Sequence, residues 1–170
     1  TSSNTVTVTV SAYPSFTAKR TTGADIVAGS TACVSTDTLT LYYDTVASGP
    51  GSKAILNWYR KQFKKLGIEL VVRATDYNRF QEKIRKGTAQ IFSWGWNADY
   101  PDPENFLFLL YGPNSKIVSQ GENAVNYQND EYDRLFALMR VSPNGPDRQK
   151  LINQMVQILR EDAPWLWGFH

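Results

Sequence analysis

The chain has 170 residues, an apolar fraction of 42%, a formal net charge of +2 and one cysteine. This length corresponds to one domain or two small ones, and the apolar fraction excludes a disordered tail because enough side chains are available to form a core. Cys33 has no partner for a disulfide within the chain, and His170 is the single histidine, so neither a structural metal nor a cofactor is expected.

The first 45 residues favour strands and loops, since they contain twelve Thr and six Ser but only five charged residues. Thr5 to Val10 alternates Thr and Val, which predicts a half-buried strand. Residues 13–38 contain the breakers Pro14, Gly23 and Gly29 and have no clear period, so we expect them to be irregular. We assign residues 1–38 to an irregular, strand-containing segment of the same domain as residues 39–170.

A strand–helix–strand pattern begins at residue 39. Leu39 to Tyr43 predicts a strand, Pro50 predicts the start of a helix, and Gly67 predicts its end. Ile68 to Ala74 then predicts a second, buried strand. Five apolar residues within the helix recur at helical spacing and are expected to form its core-facing side, namely Ile55, Trp58, Tyr59, Phe63 and Leu66.

A second helix is expected from Asp76, a capping residue, to Gly87, and Ala89 to Trp96 is a third apolar run. Strands that are joined through helices lie parallel, with the helices on the faces of the sheet. The predicted fold is therefore α/β, with a mixed, mostly parallel sheet flanked by helices. We treat residues 39–170 as a single domain.

The C-terminal part of the chain predicts three further helices. Asp102 followed by Pro103 indicates the start of one that runs to about Tyr111, and residues 129–141 and 146–162 each place apolar side chains on one face. Pro164 to Phe169 is expected to form a short aromatic strand in the sheet that contains residues 39–43.

The sequence offers no well-placed histidine to act as the catalytic base of a nucleophilic hydrolase. The single histidine is His170 at the end of the chain, and the sequence contains no glycine-rich phosphate loop and no calcium-loop motif. Asp102 and Glu104 are best explained as the cap and the first-turn acid of a helix. We therefore expect that the protein is not an enzyme.

Residues 53–86 contain ten Lys or Arg against three acids. Their cations alternate with apolar residues at helical spacing, which is typical of a solvated helix face. A nucleic-acid surface needs aromatic rings that are free to stack, whereas Trp58, Tyr59 and Phe63 fall on the predicted apolar face. We expect no nucleic-acid partner.

The segment from Trp94 to Leu107 follows a predicted strand, at the end of a sheet where α/β proteins usually bind ligands. Gly95 lacks a side chain and lets another backbone approach, while Trp94 and Trp96 offer apolar walls. Asp99 supplies a fixed negative charge. The alternative is that both indoles belong to the core and Asp99 forms a turn, and these residues alone leave both interpretations open.

Several stretches of the sequence occur in a characteristic order and together span about 130 residues. They are Leu39 to Tyr43, Leu66 to Leu70, Phe80 to Gly87, Gly95-Trp96-Asn97-Ala98-Asp99-Tyr100-Pro101-Asp102-Pro103, Tyr127 to Leu135 (Y-x-N-x-E-Y-D-x-L), and Ile158 to Trp165. In this order they resemble the bacterial peptide/nickel-type extracellular solute-binding proteins of family 5, which are the oligopeptide- and dipeptide-binding receptors of ABC importers.

The resemblance implies a type II periplasmic-binding-protein lobe, namely the second of two lobes that close on a ligand. In that family the acid of the G-W-x-A-D motif binds the ammonium group of the ligand, a role that passes to Asp99. The backbone at Gly95 and Asn97 would pair with an extended peptide, and Trp96, together with Trp94, would wall the site. Some relatives have an arginine two residues before the glycine, where this chain has Ser93.

The expected function is therefore capture of a peptide-like ligand and its delivery to an ABC permease in the membrane. The expected location is extracytoplasmic, either the periplasm or the cell surface as a lipoprotein, and the expected partners are the ligand, the missing first lobe and the permease, with the receptor a monomer. The alternatives are an oligosaccharide or nickel-complex receptor of the same family, or the ligand-sensing domain of a regulator.

Overall fold

The computed structural model describes residues 39–47 and 49–166 in full, and the backbone of four short strands among the first 38 residues. These strands are β1 (Val6–Thr9), β2 (Ala18–Lys19), β3 (Asp25–Ile26) and β4 (Thr31–Val34). β1 confirms the strand predicted from the Thr and Val alternation. The other three lie within residues 13–38, where we expected irregular structure. Pairing with distant strands stabilises them, although their own sequence has no period.

The central part of the chain forms the predicted strand–helix–strand pattern. Its elements are β5 (Leu39–Val46), α1 (Pro50–Lys65), β6 (Ile68–Thr75), α2 (Tyr77–Arg85) and β7 (Ile91–Phe92). β5 pairs in parallel with β6 along its whole length and in parallel with β7 at two positions. β2 adds to β5 in antiparallel orientation and β3 adds to β2, while β1 and β4 form a separate antiparallel pair. The prediction of an α/β fold with a mixed sheet is confirmed.

The chain divides into two compact units. Unit 1 comprises residues 1–84 and 88–94, and unit 2 comprises residues 85–87 and 95–170. The buried centre of unit 1 is a cluster of Leu39, Leu41 and Leu70 from β5 and β6, against which Tyr59 and Phe63 of α1 pack. The helix therefore covers the sheet through two aromatic side chains one helical turn apart.

The sequence placed more of α1 in the core than the structure does. Ile55, Trp58 and Leu66 are each more than half exposed, so their prediction as core residues is wrong. Neighbouring residues on a helix point about 100° apart. Because Tyr59 already faces the sheet, Trp58 is turned away from it and makes an edge contact with the Tyr59 ring at 5.6 Å between centroids.

A buried carboxylate ties the sheet of unit 1 to α2. Asp44 of β5 is fully buried and forms ion pairs with Arg73, its direct neighbour on β6, and with Lys83 of α2 at 2.5 Å. A buried charge is costly unless it is paired. The two cations therefore make Asp44 compatible with the interior and fix α2 over the strand.

Unit 2 is helical. Its elements are α3 (Glu104–Leu107), two 3-10 turns (Phe108–Leu110 and Gly112–Asn114), α4 (Lys116–Ser119), α5 (Asp130–Val141) and α6 (Pro146–Asp162). α5 and α6 agree with the predicted helices, and the side chain of Asn129 caps α5 by accepting from the Tyr132 N–H at 3.0 Å. The core includes the side chains Leu109, Leu110, Tyr127, Tyr132, Leu135, Phe136, Met139, Met155 and Leu159.

The helix expected to run to about Tyr111 ends after four residues, and two 3-10 turns follow. The carbonyl of Leu107 accepts from the Tyr132 hydroxyl at 2.8 Å, and the carbonyl of Phe108 accepts from the Asn114 amide at 3.1 Å. These carbonyls bind side chains in place of the helical N–H groups that would continue the helix. The prediction of a single helix is therefore wrong beyond Leu107.

Two predicted strands are shorter than expected or not found. The run from Ala89 to Trp96 contains only the two residues of β7. Just before β7, the side chain of Gln90 accepts from the Tyr42 N–H at 2.6 Å, where a longer strand would use a backbone ladder bond. In the segment from Pro164, the described residues 164–166 contain no strand, and the remainder lies outside the described residues. No described helix is long and apolar enough to cross a bilayer.

Candidate functional site

The segment that follows β7 carries all five predicted ligand-binding residues. Residues 93–98 have no regular secondary structure and lead from the carboxyl end of β7 to a bend at Asp99 and Tyr100. Trp94 is the last residue of unit 1, and Gly95 begins the main part of unit 2.

Trp94 lies against α2 in unit 1. Its ring packs on Phe80 with 6.0 Å between centroids and an interplanar angle of 32°. Its indole Nε1 is buried and has no hydrogen-bond partner among the described residues. The packing accounts for one face of the ring, and the role of Trp94 as an apolar wall for a ligand stays a prediction.

Gly95 is exposed, and nothing in the described structure requires a glycine there. Its φ angle lies outside the left-handed region, and an added Cβ would meet no atom within 4 Å. Neither Gly95 nor Asn97 forms a hydrogen bond within the described residues. The missing side chain therefore leaves open space beside a backbone whose hydrogen-bonding groups are unused.

Trp96 is half-buried, and its indole is held by one hydrogen bond and one ring contact. The Nε1 group donates to Oδ1 of Asn105 at 3.0 Å, and the ring makes an edge contact with Phe108 at 5.4 Å between centroids. A half-buried indole with a satisfied N–H has a fixed orientation and still presents apolar surface.

Asp99 is exposed, and no Lys or Arg among the described residues forms an ion pair with it. Its backbone N–H donates to Oδ1 of Asn105 at 3.0 Å, and its carboxylate accepts from Nδ2 of the same asparagine at 3.4 Å. The charge is therefore held in place by a neutral partner and remains open to a cation from outside.

Asn105 is a residue that sequence reasoning missed. It is only 2% exposed and lies in α3, and its amide contacts two of the five predicted residues, Trp96 and Asp99. The signal in the sequence was an amide residue six positions after Asp99 within the short helix. No periodicity or propensity rule separates such an asparagine from an ordinary one.

Asp102 accepts from the Glu104 N–H at 2.8 Å, but the cap position of α3 is Pro103, so the prediction of Asp102 as the cap is wrong by one residue. Asp102 also forms a two-point ion pair with Arg148 of α6, with 2.7 and 3.0 Å between the paired nitrogen and oxygen atoms. The guanidinium, and next the Glu104 N–H, hold the pKa of the Asp102 carboxyl below its usual value. The sequence did not predict Arg148, which is 46 residues away.

An open cleft of about 450 Å³ lies beside this ion pair, lined by Tyr100, Asp102, Glu104, Arg140 and Arg148. The charges of its two acids and two arginines cancel, and none of the five predicted ligand-binding residues lines it. No group of three or more metal-ligating side chains occurs in the part of the chain that the structure describes.

A family model agrees with the geometry. Residues 17–117, more than half of the chain, match the family described as "Bacterial extracellular solute-binding proteins, family 5 Middle". The chain belongs to this family. The match includes β5 to α3 and all five predicted ligand-binding residues, and it begins before Leu39, where the stretches that carry the resemblance start.

Individual relatives of the chain bind different ligands. It is similar to di/tripeptide-binding protein 4 of Pseudomonas aeruginosa, with 28% identity over 60% of this chain and 19% of the relative. It is also similar to haem-binding protein A of Haemophilus influenzae, with 28% identity over 71% of this chain and 21% of the relative. The chain thus spans about a fifth of the length of the curated relatives it matches.

The solved structure of NikZ from Campylobacter jejuni, in complex with Ni(L-His), has a similar fold. The TM-score is 0.64 with 18% identity, and the similarity covers 86% of this chain and 28% of NikZ. This likeness confirms the periplasmic-binding-protein fold that the sequence predicted. Both curated relatives are described by what they bind, a di- or tripeptide in one and haem in the other.

Proposed function

We propose that this chain is part of the ligand-binding lobe of an extracytoplasmic receptor, which captures a peptide-like solute and delivers it to an ABC permease. In this proposal residues 39–170, with the segment 1–38, belong to the second of two lobes that close on the ligand. The named relatives include a di/tripeptide-binding protein, and this supports a peptide as the solute.

The observation that carries the proposal is the state of Asp99. Its carboxylate is exposed, lacks an ion pair within the described residues, and accepts a hydrogen bond from a buried amide. A carboxylate held in this way suits the ammonium group at the start of a peptide, which would complete a charge-assisted hydrogen bond.

The backbone before Asp99 supports an extended ligand. The unused hydrogen-bonding groups of Gly95 and Asn97 can pair with a peptide main chain, as in binding modes that add a strand. Main-chain pairing is independent of ligand side chains, while Trp94 and Trp96 supply walls that tolerate varied ones. The arrangement therefore favours a receptor for peptides of varied sequence.

The test is the substitution Asp99→Asn in the complete receptor that contains this chain. We expect an affinity loss of about 2 to 5 kcal/mol for a pooled tripeptide library with free amino termini, because a charge partner of the ammonium is removed. The pool is titrated by tryptophan fluorescence, and an N-acetylated pool is titrated beside it.

The matched control is Asp147→Asn, which removes an exposed acid of α6 whose ion pair with Lys150 lies at the surface. It should leave the affinity unchanged. If the acetylated pool binds the unsubstituted receptor as tightly as the free pool, or if Asp99→Asn binds like the control, the role of Asp99 is wrong. If neither pool binds while haemin, a nickel–histidine complex or an oligosaccharide does, the ligand class is wrong.

A further inference from the structure

The predicted ligand-binding residues of unit 2 lie in a segment without helix or strand. Residues 95–98 have no regular structure, and neither Gly95 nor Asn97 forms a hydrogen bond within the described residues. Such a segment loses affinity if it must be ordered at the moment of binding, because ordering carries an entropic cost. A contact from outside the segment that fixes Asp99 and Trp96 would reduce this cost.

Asn105 meets this need with one amide group. Its Oδ1 accepts both from the Trp96 indole and from the Asp99 backbone, each at 3.0 Å, and its Nδ2 donates to the Asp99 carboxylate at 3.4 Å. An amide has both acceptor lone pairs and donor hydrogens, so it can hold an N–H and a carboxylate together. An ionised carboxylate at this position would have no hydrogen to donate to the Asp99 carboxylate.

The amide is itself held rigidly. α3 begins at Glu104, two residues after Asp102, whose carboxylate accepts from the Glu104 N–H and from the guanidinium of Arg148. Arg148 is 8% exposed and also donates to the Met139 carbonyl at 3.2 Å and to Asn144 at 2.8 Å. A chain of hydrogen bonds therefore runs from α5 and α6 through α3 to the ligand segment.

We propose that Asn105 is a positioning residue, which sets the Asp99 carboxylate and the Trp96 indole in their ligand-binding orientation before the ligand arrives. The inference rests on the proposed function of Asp99. Asn105 is almost fully buried and acts through these two side chains. Sites that are held by a second layer of hydrogen bonds gain affinity because less ordering is needed on binding.

The first test is a double-substitution cycle in the complete receptor. We expect Asn105→Ala to lower affinity for the free-amine tripeptide pool about tenfold, since two positioned groups are released. In the Asp99→Asn background the same substitution should change affinity by about threefold or less, because two residues that act as a unit are not additive. Equal factors in both backgrounds would overturn the inference.

The matched control is Asn123→Ala. Asn123 is also a buried asparagine of unit 2, and it bonds the backbone of Tyr111 and of Tyr127, away from the ligand segment. It should lower the melting temperature at least as much as Asn105→Ala and leave the tripeptide affinity unchanged. If Asn123→Ala weakens binding as strongly, the effect of Asn105 is general destabilisation and the inference is wrong.

A second measurement needs no substitution at Asn105 and so remains valid if that variant fails to fold. In the ligand-free receptor, hydrogen exchange at the Asp99 amide and at the Trp96 indole should be slowed at least tenfold relative to the unbonded Asn97 amide. Exchange at the same rate as Asn97 overturns the inference, whatever the ligand. If protection is found but Asp99→Asn binds normally, the proposed function fails and the positioning by Asn105 stands.

Discussion

Helices α1 and α5 were predicted from the same kind of apolar spacing, yet they are buried to very different extents. In α5 the apolar residues of the predicted face, Tyr132, Leu135, Phe136 and Met139, are all buried, whereas no residue of α1 is buried. α5 packs against α6 on one side, and the rings of Tyr111 and Tyr127 pack against it on another. α1 contacts the sheet along one narrow strip. Periodicity thus identifies a helix, while burial depends on how many neighbours surround it.

The largest effect is expected from Phe136→Ala. The Phe136 ring is buried and stacks on Tyr111 with 4.5 Å between centroids, so its removal should lower the free energy of unfolding by about 3 to 5 kcal/mol. Urea denaturation followed by circular dichroism measures this. Leu138→Ala, at a half-exposed position of the same helix, should cost about 1 kcal/mol or less. Similar losses in both would show that α5 is not buried as described.

Arg148→Leu should have the next largest effect, because Arg148 connects α6 to α5 and to Asp102. Removing one member of a buried ion pair costs about 3 to 5 kcal/mol, and the partial exposure of Asp102 reduces this to about 2 to 3. Lys150→Leu, which breaks an exposed ion pair on the same helix, should cost about 0.5 kcal/mol or less. An equal loss in both variants would contradict the role of Arg148.

The same ion pair makes unit 2 sensitive to acid. The folded state lowers the pKa of Asp102, chiefly through Arg148, so this carboxyl stabilises the fold above its unfolded pKa. That stabilisation is lost as the pH falls through and below the usual aspartate range. We expect the free energy of unfolding of Arg148→Leu to depend less on pH below about pH 4 than that of the unsubstituted protein. Parallel curves would mean that Asp102 does not contribute.

Trp58→Ala tests the shallow burial of α1. We first expected a core tryptophan, but its side chain is 57% exposed, so its loss should cost about 1 kcal/mol. Phe63→Ala on the same helix removes a ring that packs on the cluster of Leu39, Leu41 and Leu70, and it should cost about twice as much. If Trp58→Ala lowers the free energy of unfolding more than Phe63→Ala does, then α1 does not contact the sheet through the narrow strip described.

Local sequence patterns predicted the elements that local forces decide. The boundaries of α6, the cap of α5 and the glycine that ends α1 all follow from backbone preferences within a few residues. The early end of α3 could not be predicted in this way, because its cause is a hydroxyl from Tyr132, 25 residues away, that binds the Leu107 carbonyl. Tertiary contacts of this kind leave no periodic signal.

The candidate site likewise contains residues that the sequence could identify and residues that it could not. Asp99 and Trp96 could be proposed because the G-W-x-A-D motif resembles the ligand-binding motif of the family, whereas the residue types alone also allowed a turn at Asp99 and a core role for the indoles. Asn105 and Arg148 could not, because each acts through hydrogen bonds to residues that sequence spacing does not bring together. The residues that hold the site are therefore less visible in the sequence than those expected to contact the ligand.

The smallest effect on stability is expected from Gly95→Ala. Because φ at Gly95 is ordinary and an added Cβ meets nothing within 4 Å, the free energy of unfolding should change by about 0.5 kcal/mol or less. The added methyl group would instead occupy the space in which a peptide backbone is proposed to pair. We therefore expect affinity for the tripeptide pool to fall about tenfold in the complete receptor, measured by fluorescence titration.

Gly51→Ala is the matched control, since its Cβ also meets nothing within 4 Å and its position in the first turn of α1 accepts alanine. It should leave the affinity unchanged and raise the stability slightly, because alanine favours a helix more than glycine. Normal binding by Gly95→Ala would show that no backbone approaches at this point. The peptide would then have to be held by Asp99 and the indoles alone, and strand addition at Gly95 and Asn97 would be wrong.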